Sequence, residues 1–138
     1  MPDAKLVPEL FCSDIARSLR FYTEVLGFSV LYARPEEHFA YLEREGAELM
    51  LDQSTSRRFL ADEPTYPYGR GVNLQIEVSD VDALYQSVSA SGATIYLPME
   101  EKWYRANDRL RGNRQFVVLD PDGYLLRFFR DLGSRPVS

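Results

Sequence analysis

The chain has 138 residues, 45% hydrophobic and 27% charged, the size and make-up of one soluble domain or of two small halves sharing a core. Its 16 basic and 21 acidic residues leave a net charge of −5, which argues against nucleic acid as a default partner and favours cationic ligands. A single cysteine excludes an internal disulfide or a Cys-rich metal site. The segment MPDAKLVPELF has no apolar signal core and no run approaches the roughly 18 apolar residues of a membrane span, so the expected compartment is the cytoplasm.

In chain order, Leu6 to Cys12 alternates as a strand, with Leu6, Leu10 and Cys12 on one side and Val7, Glu9 and Phe11 on the other. Ser13-Asp14 supplies an N-cap for a helix over Ile15 to Leu26, and Gly27 stops it. Three strands follow at Phe28 to Ala33, Phe39 to Glu43 and Glu48 to Gln53. Ser54 to Gly71, with Pro64, Pro67, Gly69 and Gly71, reads as a long connector. Val72 to Val78 alternates strictly, Ser79-Asp80 caps a second helix through about Ser91, and Gly92 closes it. Ala93 to Leu97 is a strand, Pro98 to Asn113 reads as an irregular basic segment, and Gln115 to Arg130 forms a β-hairpin about Asp120-Pro121-Asp122-Gly123.

The pattern of strand, Ser-Asp cap, helix, Gly stop and strands occurs twice, from Leu6 and from Val72. The expected fold class is α+β: tandem βαβββ modules forming a cupped mixed sheet with helices on its outer face. The chain reads as one domain over 1–138, with module one at about 5–53, a linker at about 54–71 and module two at about 72–131. Each half is about 60 residues, small for an independent core, so the halves should pack together or exchange with another subunit.

Strand geometry assigns one face of each main strand to the helices and the other to the cup. The helix side takes Leu6, Leu10, Cys12, Leu49, Leu51, Leu74, Ile76, Val78, Leu126 and Phe128. The cup takes Val7, Glu9 and Phe11, then Glu48, Met50 and Asp52, then Asn73, Gln75 and Glu77, and finally Leu125, Arg127 and Phe129. Carboxylates there would attract a cation, and Phe39, Tyr41, Trp103, Tyr104 and Phe116 are candidates to stack on planar rings. Arg127 has two readings, an ion pair with Glu9 or Glu77 or a contact to ligand. Cys12 reads as a small buried hydrophobe and His38 as an exposed turn residue. The basic residues Lys102, Arg105, Arg109, Arg111 and Arg114 would suit an anion better than a cation.

Three stretches in the right order, SDIARSLRFYTEVLGF, VNLQIEVSDVDALYQSVSASG and QFVVLDPDGYLLRF, make the chain resemble the vicinal oxygen chelate superfamily over roughly residues 5 to 131. That superfamily contains glyoxalases, extradiol dioxygenases and bleomycin-resistance proteins. The resemblance implies a metal site on first and fourth strands, whose positions here fall on Val7, Met50, Asn73 and Arg127. None is a good ligand for a hard divalent cation, so neither a metal nor another cofactor is expected. The bleomycin-resistance proteins, as the resemblance implies, are metal-free homodimers that bind the antibiotic without modifying it. By that likeness the chain is expected to be a bleomycin-type antibiotic binder rather than an enzyme. The expected contacts are Glu9, Phe39, Tyr41, Met50, Asp52, Asn73, Gln75, Glu77, Trp103, Tyr104, Phe116 and Arg127. The alternatives are a glyoxalase- or dioxygenase-like enzyme with a relocated metal site, and a binder of another small molecule, including an anion held by Arg127.

Overall fold

A computed structural model describes residues 2–55 and 58–138; Ser56 and Arg57, inside the expected connector, lie outside the described residues. Eight strands and two α-helices follow one another as β1 (Glu9–Phe11), α1 (Ile15–Arg20), β2 (Ser29–Arg34), β3 (Phe39–Arg44), β4 (Ala47–Asp52), β5 (Asn73–Glu77), α2 (Val81–Ser91), β6 (Ile95–Ala106), β7 (Arg109–Leu119) and β8 (Leu125–Pro136). They form two four-stranded mixed sheets of identical topology, β1-β4-β3-β2 and β5-β8-β7-β6. In each, the first strand pairs parallel with the fourth and the others run antiparallel. The class is α+β with the repeat that the sequence pattern predicts, but the sheets are two rather than one continuous surface.

The caps behave as short polar side chains before a helix should. Asp14 accepts from the Arg17 amide and Asp80 from the Ala83 amide, each satisfying a first-turn donor that has no partner inside the helix. Gly92 ends α2 in the left-handed conformation, φ +79°. The first helix departs from expectation: after Arg20 the chain widens into a π-helical turn, Phe21–Val25. There Tyr22 turns its ring into the core, wholly buried. Leu6, expected to face inward, is exposed, because β1 begins only at Glu9.

One core lies between the sheets and their helices. Leu10, Leu42, Leu49 and Leu51 from the first sheet share it with Ile76, Val88, Phe116 and Phe128 from the second unit. Cys12 belongs to it, and burial pushes its thiol up to about 12, so it is inert packing. Polar ties join the units across this core. The Tyr22 hydroxyl donates to Asp120 Oδ2 at 2.8 Å, and the Ser13 amide and hydroxyl donate to Asp122 at 3.0 and 2.5 Å. Tyr124 reaches back to the Phe11 carbonyl at 2.8 Å. Asp120 Oδ1 accepts in addition from the Asp122 and Tyr124 amides, which closes the turn between β7 and β8.

The largest departure concerns residues 98–113, expected to be irregular. They form most of a regular antiparallel ribbon, β6 with β7, which β8 extends as far as Pro136. The charges that obscure its alternation are paired: Arg114 with Asp82 on α2 at 2.7 Å, and Arg111 with Asp131 at 3.1 Å. Trp103 lies flat over Gly112, where a Cβ would meet three indole carbons at 2.7 Å, and the Arg135 guanidinium covers the ring at 4.0 Å.

Two outcomes follow from these contacts. Burial raises Asp120 from 3.8 to about 6, against the pull of its three hydrogen bonds. A raised carboxyl binds its proton more tightly in the folded chain, so its contribution to stability is complete below 3.8 and is lost as pH rises through 6. Wild-type protein should therefore lose roughly 2 kcal/mol relative to Asp120→Asn between pH 4 and pH 7 in denaturant unfolding; parallel pH dependences would refute the assignment. Gly112→Ala must displace the indole. Because Trp103 is the sole tryptophan, its emission should move to longer wavelength and become more accessible to quenchers, while the far-ultraviolet circular dichroism stays unchanged.

Candidate functional site

The helix-side core leaves each sheet with an open concave face, and strand alternation decides what is there. On the first sheet, Glu9 lies opposite Met50, Tyr41 pairs with Met50 and Phe39 with Asp52. Tyr32 and Arg34 on β2 stand opposite Tyr41 and Phe39. The rings of Tyr32 and Tyr41 stack at 5.1 Å and 19°, and the Arg34 guanidinium covers Phe39 at 4.0 Å while pairing with Glu37. Beside them, Phe39, Arg34 and His38 border a hollow of about 540 Å³, to which Glu9, Asp52, Glu36 and Glu37 bring four carboxylates; Tyr32, Tyr41 and Met50 lie on the same sheet face outside its lining. Burial, and then the charge of Asp52, raise Glu9 above the usual glutamate value, with Arg34 opposing. Deeper in the face, Glu48 accepts from the Tyr41 hydroxyl at 2.7 Å and from the Asp3 amide at 2.9 Å. Those two bonds, the amide first, hold Glu48 below its ordinary value, and the Tyr41 hydroxyl is pushed up to about 12 mainly by its bond to Glu48.

The second sheet carries a smaller hollow of about 360 Å³, bordered by Gln75, Glu77, Tyr104, Asn113, Arg127 and Phe129 among others. Gln75 and Arg127 are register partners on β5 and β8, and Arg127 Nη2 donates to Gln75 Oε1. Neither Glu9 nor Glu77 lies within ion-pair distance of Arg127 among the described residues, so the expected salt bridge is absent within the chain. Its Nε is buried without a hydrogen-bond partner. Gln115 donates to the Tyr104 hydroxyl at 2.6 Å and to Glu100 at 2.8 Å. Asn73 heads β5 opposite Leu125.

The twelve expected contact residues are thus divided. Glu9, Phe39, Tyr41, Met50 and Asp52 share the first concave face, Gln75, Glu77, Tyr104 and Arg127 border the second hollow, and Asn73 lies on the same side of β5 as Gln75 without bordering it. Phe116 belongs to neither. It is wholly buried between Tyr85 of α2 at 4.9 Å and Phe128 at 5.7 Å, because its register partner Phe128 faces the helices. Trp103 is also removed, for consecutive strand residues point to opposite faces, and with Tyr104 toward the hollow Trp103 covers the other side of the ribbon. Missed from the sequence were Tyr32 and Arg34. The signal was present: FSVLYA and FAYLE, paired as an antiparallel hairpin, bring Tyr32 beside Tyr41.

The positions implied for a metal do not fit one. Val7 and Met50 offer no hard donor, Asn73 is a weak one, and Arg127 adds a positive charge. Among the described residues no group of three or more His, Cys, Asp or Glu side chains is placed to hold a metal ion. His38, the lone histidine, is exposed after a 3₁₀ turn. No described helix is long and apolar enough to cross a membrane.

Comparison with known proteins agrees with this architecture. The family described as the glyoxalase/bleomycin resistance protein/dioxygenase superfamily matches residues 6–128. A bleomycin resistance protein of Geobacillus stearothermophilus is 27% identical over 139 residues, covering 93% of this chain and 97% of its own, and one of Staphylococcus aureus is equally similar. Among solved structures, TioX from Micromonospora sp. ML1 superposes with a TM-score of 0.72 at 27% identity, covering 94% of this chain and all of that one. A protein of unknown function from Agrobacterium tumefaciens gives 0.68 at 28% identity, covering 96% and 97% of the two chains. With a match that runs over nearly all of its length, and with two βαβββ units behind it, the chain belongs to the glyoxalase/bleomycin resistance protein/dioxygenase superfamily.

Proposed function

We propose that this chain is a binding protein that sequesters a bleomycin-type glycopeptide antibiotic without chemistry, working in the cytoplasm as a homodimer whose clefts are each built from two copies. The observation that carries the reading is the first concave face. Four carboxylates border a hollow with Phe39 and Phe59, on a sheet face that also carries the stacked rings of Tyr32 and Tyr41, with no set of metal ligands among the described residues. A flat, cationic molecule finds there both an attractive charge and ring faces to lie on. Similarity to the bleomycin resistance proteins of Geobacillus and Staphylococcus supports the ligand class.

Support for the dimer comes from the incompleteness of each face. The first hollow is bordered only by residues 9–59 and the second only by residues 75–131, so neither sheet encloses a ligand by itself. Turning the first face of one copy onto the second face of another completes two equivalent clefts under one twofold axis.

Calorimetric titration with metal-free bleomycin, after chelator treatment, should give saturable binding near one ligand per chain with a sub-micromolar dissociation constant, roughly −8 kcal/mol or better. No heat and no competition would withdraw the antibiotic. At low salt, Asp52→Asn should weaken binding about three- to tenfold, and added salt should shrink that difference as screening rises. Tyr32 is 42% exposed, so Tyr32→Ala spares the core; it should cost about 1–2 kcal/mol of affinity if the stacked pair forms the ligand wall.

A further inference from the structure

The concave faces carry opposite electrostatic defects. Arg127 is half-buried near the start of β8; among the described residues its guanidinium donates to the amide oxygen of Gln75, and its Nε is a buried donor with no acceptor. The nearby acids do not neutralise it: Asp131 is paired with Arg111, and Glu77, on the adjacent strand, makes no ion pair among the described residues. A half-buried guanidinium whose Nε has lost its water without gaining an acceptor carries a cost, and that cost falls when a carboxylate arrives with good geometry.

The first face has the complementary fault. Glu9 is exposed on β1, shares its hollow with Asp52 and two further glutamates, and has no ion pair among the described residues. Partial burial, and then the neighbouring Asp52 charge, disfavour its ionised form, opposed by Arg34, which itself pairs with Glu37. Within one chain these residues line separate hollows and do not meet. A second copy carries both patches, and a twofold contact lets each satisfy the other.

We propose that Arg127 of one copy pairs with Glu9 of a second copy, twice per dimer, and that these pairs fix how the two concave faces meet. The inference rests on the shared-cleft reading above and makes Glu9 and Arg127 residues that set the registration of the faces. The aromatic wall and Asp52 remain for the ligand.

Charge reversal with reciprocal rescue, read by sedimentation equilibrium on the full chain at low salt, tests it. Arg127→Glu and Glu9→Arg should each raise the dimer dissociation constant by about tenfold or more, and the double variant should return it to within about threefold of wild type. Arg127→Gln, a milder change, should raise it by a smaller factor, and circular dichroism of each variant checks that the fold survives. Dimerisation equal to wild type in both single variants, or a double variant without rescue, overturns the pair. If that happens while wild type is dimeric and bleomycin saturates at one per chain, the pair is wrong and the shared cleft stands. A wild-type monomer at tens of micromolar overturns both. An intact Arg127→Glu dimer that has lost ligand assigns Arg127 to the ligand, and again the pair falls.

Discussion

The buried hydrogen bond from Tyr22 to Asp120 is the constraint on which the arrangement of the two units depends. It links the π-helical turn of the first unit to the β7–β8 turn of the second, and Asp122 doubles the link through Ser13 at the start of α1. A carboxylate that is mostly buried would be expensive without partners, and Asp120 is supplied with three. Because the tie runs through the helix side, the sheets are held back to back around one core. Their polar concave faces are left outward.

What those faces contain follows from a period of two. A strand with leucine and phenylalanine turned to the helices has every other residue free, and here the free residues include acids, amides, arginines and aromatic rings. Such a face offers charge and ring surfaces to whatever meets it. The relatives that share the fold include proteins named for bleomycin resistance, and the residues at the family's metal positions in this chain are of the wrong kind for metal chemistry.

Much of the fold was legible in the sequence because its punctuation is local. Asp120-Pro121-Asp122-Gly123 marks a turn whether or not the rest of the chain is known, and Gly123 does adopt φ +95° with the Asp120 side chain closing the loop. The Ser-Asp caps and the glycine stops have the same quality. The far end of the ribbon of β6 and β7 was illegible because charged residues occupy both of its faces, so no hydrophobic alternation remains to be read; its order is that of the backbone ladder it shares with β8. The face a residue takes was illegible where it depended on register. Phe116 is aromatic and near the site in sequence, but its partner across the ladder is Phe128, and that decides its side. Trp103 and Tyr104, as strand neighbours, were never able to share one face.

The outer strand of the first sheet has a separate consequence. β2 is bonded on one side only, and along it Val30, Leu31 and Tyr32 are largely exposed. A free, apolar, β-prone edge is a template on which further chains can stack into fibrils. The register shift between Val30 and Tyr32 bends this edge, and Pro35, with no amide hydrogen to donate, follows directly at its end. One bulge and one proline beside the stacked rings thus weigh against strand-on-strand association at this edge.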